Sequence, residues 1–195
     1  MKYLRLRARN SGVTLVEMMV GVAIVGILLA VATPSLSAFT ERRRVVAVAG
    51  EIASLFAFAR SEANVTSGKV NMHFELVTEP AQFSCIRISS AQGTQDKCGC
   101  DKSLADACIG GTAKLLREYI LQRDTSVTFA ASATAWGLKD HVATVERGKY
   151  LDVEDLHVII KGVNTGAELL VEYNNAGRVR TCSPNGAMSG FQPCG

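Results

Sequence analysis

The sequence predicts an α+β protein: one long amino-terminal helix, its first half transmembrane and its second half amphipathic, packed on an antiparallel β-sheet head. Three observations lead there. A run of apolar residues begins at Val13 and continues to Ala32 or Thr33. Beyond Pro34 apolar residues recur at three- and four-residue intervals, and after Gly68 that period gives way to strict alternation. A chain of 195 residues is long enough for one such unit with its own core, together with an appendage.

The opening residues, 1–12, are basic and polar. Lys2, Arg5, Arg7 and Arg9 have no acid among them, and without them 17 Lys and Arg face 18 Asp and Glu. The remainder is therefore close to neutral, which excludes a global basic field for gathering nucleic acid and leaves only a local patch. The apolar run, 13–33, is about 30 Å long as a helix and matches the hydrocarbon thickness of a bilayer. The cations before it hold that end in the cytoplasm, so everything after Pro34 lies outside. Glu17 interrupts the run. A carboxylate at mid-membrane costs roughly 2.5–3.5 kcal/mol, less near an end, so Glu17 is either a tolerated interfacial acid or one that requires a cationic partner.

Residues 34–67 continue the helix after a bend expected at Pro34, which lacks a backbone donor. Val45, Ala49, Ile52, Ala53, Phe56, Ala59 and Ala63 form one stripe, whereas Glu41, Arg42, Arg43, Glu51, Arg60 and Glu62 fall mostly elsewhere. Arg42 to Arg44 read as a solvated flank just beyond the membrane, and Gly50 as a mark of close packing. Ser67 and Gly68 end the helix. From Val13 to Thr66 it would measure about 80 Å, a length that only a filament or a membrane assembly can pack.

The head, 68–195, opens with KVNMHFELV, where Val70, Met72, Phe74 and Leu76 alternate with polar neighbours as in a half-buried strand. FSCIRIS, LREYILQ, SVTFAA, DLHVIIKG and AELLVEYN read as further strands, and NNAG, Asn174 to Gly177, as the turn of a hairpin that returns through RVRTC. The stretch from about 78 to 150 contains such strand-like segments but resembles no known family.

All six cysteines lie after the apolar run, as disulfides in an oxidising compartment would. Cys85, Cys98, Cys100 and Cys108, in a Cys-rich insert over about 85–111, are expected to pair among themselves. A bond between Cys98 and Cys100 is disfavoured by disulfide geometry. Cys182 is expected to pair with Cys194, closing a terminal loop worth about 3 kcal/mol in the chain-entropy model. The single-residue gap in Cys-Gly-Cys departs from the spacing of structural zinc sites, so no metal and no cofactor is expected. His73, His141 and His157 stand far apart in sequence with no nucleophile at a catalytic spacing, and phosphate-cradling glycine motifs are missing. The chain reads as a non-enzyme. An anchored enzyme borrowing this leader is the reading from another class.

The stretch SGVTLVEMMVGVAIVGILLAVATPSL resembles the class III signal and amino-terminal helix of type IV pilins and type II secretion pseudopilins. The resemblance rests on Gly12, Thr14, Leu15, Val16, Glu17 and Pro34; Val13 stands where an aromatic residue is commonest. It implies that a prepilin peptidase cuts between Gly12 and Val13 and methylates the new amine. It further implies that Glu17 meets the amine of Val13, from its own or a neighbouring subunit, as the filament grows. Localisation would be the bacterial inner membrane with a periplasmic head, then a pilus or pseudopilus, with other pilins as partners.

ARSEA late in the helix and the closing GRVRTC resemble the GspH/FimT branch. Some members of that branch bind DNA through a motif of the GRxR form, which falls here on Gly177, Arg178 and Arg180. Alternation places both guanidinium groups on one face of a strand, in a segment, 174–195, without an acid. The other reading of these arginines is a solvated hairpin edge. The resemblance implies a minor pilin of FimT type, with a minor pseudopilin of the H type as its rival.

Overall fold

The computed structural model describes residues 12–66, 68–75, 83–91, 98, 108, 113–122, 125–134, 142–148, 154–174 and 176–195. They form a helix, α1 (Leu15–Thr66), and eight strands: β1 (Lys69–Glu75), β2 (Phe83–Ala91), β3 (Leu115–Gln122), β4 (Val127–Thr134), β5 (Val142–Glu146), β6 (Glu154–Gly162), β7 (Glu168–Tyr173) and β8 (Val179–Cys182). The chain divides into two units, Met1–Phe39 and Thr40–Gly195.

Within the first unit α1 starts on a side-chain cap. Thr14 Oγ1 accepts from the amide of Glu17 at 3.2 Å, and Thr14 O from the amide of Met18 at 3.1 Å. Thr14 and Glu17 thus have the spacing of a capping box, and the acid sits where the helix dipole favours negative charge. The large apolar residues that follow, from Leu15 to Leu29, expose half or more of their surface. This is a helix long and apolar enough to cross a membrane, with mean hydropathy 2.6 over its most apolar window. α1 stays helical through Pro34, where a bend was expected, and the side chains of 31–34 lie outside the described residues.

The second unit holds the core. It has the expected α+β arrangement of a long helix on an antiparallel head, whose strands divide into two four-stranded sheets, β3-β2-β1-β5 and β4-β6-β7-β8. All pairings between these strands are antiparallel. Strand β5 was not expected, because VATVE is short and its neighbours are charged. The later part of α1 serves both sheets. Val45, Val48, Ala49, Ile52, Leu55, Phe56, Ala59 and Ala63 are buried along one stripe, in one cluster with Met72 and Ile88 of the first sheet and Leu156, Leu169 and Val171 of the second. Phe56 stacks on Tyr173 of β7, with ring centroids 5.4 Å apart. On its other flank Arg117 of β3 lies 5.6 Å from the Phe58 ring centroid.

Two further expectations change. Gly50 is exposed, and a Cβ there would meet nothing within 4 Å, so no close packing requires it. The first strand is buried on both faces rather than one. Asn71 and His73, on the polar side of the alternation, are 5% and 7% exposed, and Arg87 and Ser89 of β2 are 3% and 0%. These groups are matched across the sheet, as burial of polar atoms demands. Thr144 Oγ1 donates to Asn71 Oδ1 at 2.9 Å, His73 Nε2 lies 3.2 Å from Ser89 Oγ, and Arg87 pairs with Glu118 of β3.

Candidate functional site

Three places carry the residues that the sequence singles out. At the amino terminus Gly12 and Val13 are described and exposed, Val13 at 65%, and Gly12 has open space about it. Glu17, one helical turn beyond Val13, is exposed as well. A cut between Gly12 and Val13 would create an α-amine, cationic at neutral pH, two residues before α1 on a chain whose fifth residue is this acid.

The second place is the carboxy-terminal hairpin. Asn174 builds the turn between β7 and β8: its Oδ1 accepts from the amides of Ala176 at 3.1 Å and Arg178 at 2.9 Å, and its carbonyl accepts from Gly177 at 2.8 Å. Gly177 takes φ of 71°, a conformation that residues with a Cβ rarely adopt. Its carbonyl receives Arg60 Nη1 of α1 at 2.6 Å. Between α1 and the hairpin lies an open groove of about 650 Å³, lined by Ala57, Arg60, Ser61, Asn64, Gly177, Arg178 and Val179. Its lining includes two guanidinium groups and no carboxylate.

Arg178 and Arg180 are both exposed but have different neighbours. Arg178 precedes β8 and lines the groove. Arg180 stands opposite Glu172 in the β7–β8 register, and its Nη2 donates to the carbonyl of Pro193 at 3.2 Å. That carbonyl belongs to the terminal loop, which the Cys182–Cys194 disulfide closes. Cys98 is joined to Cys108, and Cys85 is disulfide-bonded to a partner outside the described residues, where Cys100 and His141 also lie. Among the described residues no group of His, Cys, Asp or Glu could hold a metal ion.

The third place was missed in the sequence. Glu41, in the first turn of the head unit, is 4% exposed. Its Oε1 accepts from the amide of Asn164 at 3.0 Å, the amide of Thr165 at 2.8 Å and the hydroxyl of Thr165 at 2.7 Å; its Oε2 accepts from Asn164 Nδ2 at 2.7 Å. Burial alone would raise the pKa of this acid. The hydrogen bonds from Thr165 and Asn164 outweigh it and lower the value to about 2. Residue type argued for solvent, yet Glu41 lies four residues before Val45 and so belongs to the buried stripe. That spacing was the available signal. Arg60 had one too, since it sits in the ARSEA segment.

Residues 7–33 match the family model described as the prokaryotic N-terminal methylation motif. No curated protein matches the chain. A solved structure, the type IV minor pilin FimU of Pseudomonas aeruginosa, is similar at 16% sequence identity over 73% of this chain and 90% of that one, with a TM-score of 0.49.

Proposed function

We propose that this chain, which carries the prokaryotic N-terminal methylation motif over residues 7–33, is a minor type IV pilin of FimT type. It is a structural subunit that a prepilin peptidase cuts after Gly12 and methylates on Val13, and that enters or primes a pilus. The observation that carries this reading is the motif at the head of an exposed apolar helix that begins at Leu15. Such a surface is stable only in lipid or against other helices like itself.

Glu17 supplies register in that assembly. Smooth apolar helices slide past one another at little cost, whereas an acid in a medium of low dielectric is expensive until a cation reaches it. The amine freed at Val13 is that cation. Peptide-bond hydrolysis therefore couples removal of the leader to the creation of a docking charge, and an uncut subunit lacks it. The head faces the periplasm, where its disulfides persist.

The test is the mass of the mature amino terminus from cells with and without the prepilin peptidase. The expected product begins at methylated Val13 only when the enzyme is present, and an intact leader in both overturns the reading. A minor pseudopilin of type II secretion is the alternative, and recovery of the chain from sheared pili or from secretion pseudopili separates the two.

DNA capture through Gly177, Arg178 and Arg180 belongs to the same proposal. Its support is the exposure of both arginines in a segment without acids. Phosphate contacts of this kind are salt-sensitive. The full chain in detergent micelles is expected to retain DNA at low salt and to lose it in an Arg178→Ala, Arg180→Ala variant. Equal retention by the two removes the motif's role.

A further inference from the structure

The turn that grips Glu41 is itself held from its far side. Gly162 donates its amide to the carbonyl of Ala167 at 2.8 Å, closing the β6–β7 connection. On one side of that connection sits the Glu41 carboxylate. On the other sits the terminal loop: Asn185 Nδ2 donates to the carbonyl of Gly166 at 3.4 Å, and Ser183 Oγ lies 3.4 Å from the carbonyl of Glu168, sharing its one proton between that oxygen and Asn185 Oδ1 at 3.3 Å.

Ser183, fully buried, is the hub of the loop. Its amide donates to the carbonyl of Gln192 at 2.9 Å, its own carbonyl accepts from the amide of Cys194 at 3.4 Å, and its Oγ accepts from the amide of Met188 at 3.3 Å. Residues 182–194 are thus folded around a side chain whose neighbour in sequence, Cys182, is tied to Cys194. Each of the two contacts from the loop to the turn is long and individually weak. They hold the turn only if the loop that presents Ser183 and Asn185 is itself fixed.

We infer that Glu41 is the clip by which the head grips its helix, and that the Cys182–Cys194 loop braces the clip, so that the grip tightens when the disulfide closes. Closure removes one electron and one proton from each thiol, forms the S–S bond, and reduces a disulfide-bearing oxidant to its dithiol. The entropy of the open chain that would otherwise loosen Ser183 and Asn185 is then removed. In a head that has not been oxidised the Glu41 clip is looser, and the helix is held chiefly by the apolar stripe and by the hydrogen bonds of Arg44 to Thr125 and Arg60 to Gly177. The inference does not depend on the filament reading, since it concerns one chain only.

Charged groups near the clip are few. The turn and the terminal loop carry none. Lys161 and Glu168, which flank the turn, pair with each other at 3.1 Å, and on α1 Arg44 donates to the carbonyl of Thr125 at 3.1 Å, with Arg42 and Arg43 beside it. The titration of Glu41 therefore reports on its burial and its four hydrogen bonds rather than on a neighbouring charge.

The experiment is a carbon-detected NMR titration of the Glu41 carboxyl in the full-length chain in detergent micelles. It is run on the parent, on a Cys182→Ser, Cys194→Ser variant, and on Asn185→Ala, which keeps the disulfide but deletes the contact to Gly166. The parent midpoint is expected near 2. The expected result is a rise toward the ordinary 4.5 in both variants, with faster amide exchange at Asn164 and Thr165. An unchanged midpoint and unchanged exchange in a folded double variant overturn the inference. Should the double variant fail to fold, Asn185→Ala decides by the same criterion.

Discussion

Glu17 and Glu41 are two acids on one helix in two opposite settings. Glu17 belongs to a region where every described large apolar side chain is exposed, and Glu17 is exposed with them. Glu41 belongs to a region with a buried stripe, and its carboxylate accepts four hydrogen bonds from one turn. A buried acid needs donors, and the two regions differ in where the donors originate. The head supplies its own for Glu41 from Asn164 and Thr165. For Glu17 the proposed donor is an amine that exists only after proteolysis. One helix thus carries an attachment completed within the chain and, on the proposed function, another left open for assembly.

The comparison breaks most readily at the packing of the two regions. Phe56→Ala removes a ring stacked on Tyr173 and is expected to cost about 3–5 kcal/mol of head stability. Leu28→Ala, in the exposed region, should change it by less than about 0.5 kcal/mol. Denaturant unfolding of the full chain in micelles, followed by near-ultraviolet circular dichroism, measures both. Comparable losses would erase the distinction between the regions.

Next in size is the clip. Glu41→Ala leaves the amides of Asn164 and Thr165 without their acceptor and should destabilise by about 1–3 kcal/mol in the same assay at neutral pH. The loss should depend on pH in a defined sense. The folded pKa, about 2, lies below the ordinary 4.5, so the contribution of Glu41 is fully present above about 4.5 and fades as pH falls through 2. Parent and variant should therefore converge in acid. A gap that persisted to pH 2 would show that packing rather than charge carries the contact.

A smaller effect sharpens the same point. A Cβ on Gly162 would lie 2.5 Å from Glu41 Oε1 and 2.9 Å from Thr165 Oγ1. Gly162→Ala must displace the pinned carboxylate and should cost about 1–2 kcal/mol. In a Glu41→Ala background the same substitution should cost less, and a double-mutant cycle reads the difference. Strict additivity would place the strain elsewhere.

The contrast between the regions also explains what could be read in the sequence. The apolar run and the stripe from Val45 to Ala63 are local periodicities, and strands such as β6 and β7 alternate cleanly, so the long helix and most of the sheet were legible. Polar residues misled. Asn71 and His73 look like the solvent side of β1, but they are matched across the sheet to Thr144 and Ser89, and Arg87 is matched to Glu118, in strands far along the chain. Such pairings have no local signature. Glu41 posed the converse problem, since its spacing pointed inward while its charge pointed outward. The amino-terminal motif, which contains Gly12, Val13 and Glu17, was legible because it is local, and it matches a family model over residues 7–33. The tie from Arg60 to the Gly177 carbonyl joins a helix to a hairpin across most of the chain, and only folding brings it into view.

Gly162 has a consequence for how this protein can vary over time. A missing methyl group at one position and a carboxylate at another fill the same volume, so neither can drift alone. Related chains that gain a side chain at 162 are expected to have lost the long acid at 41, and the two columns should switch as a pair.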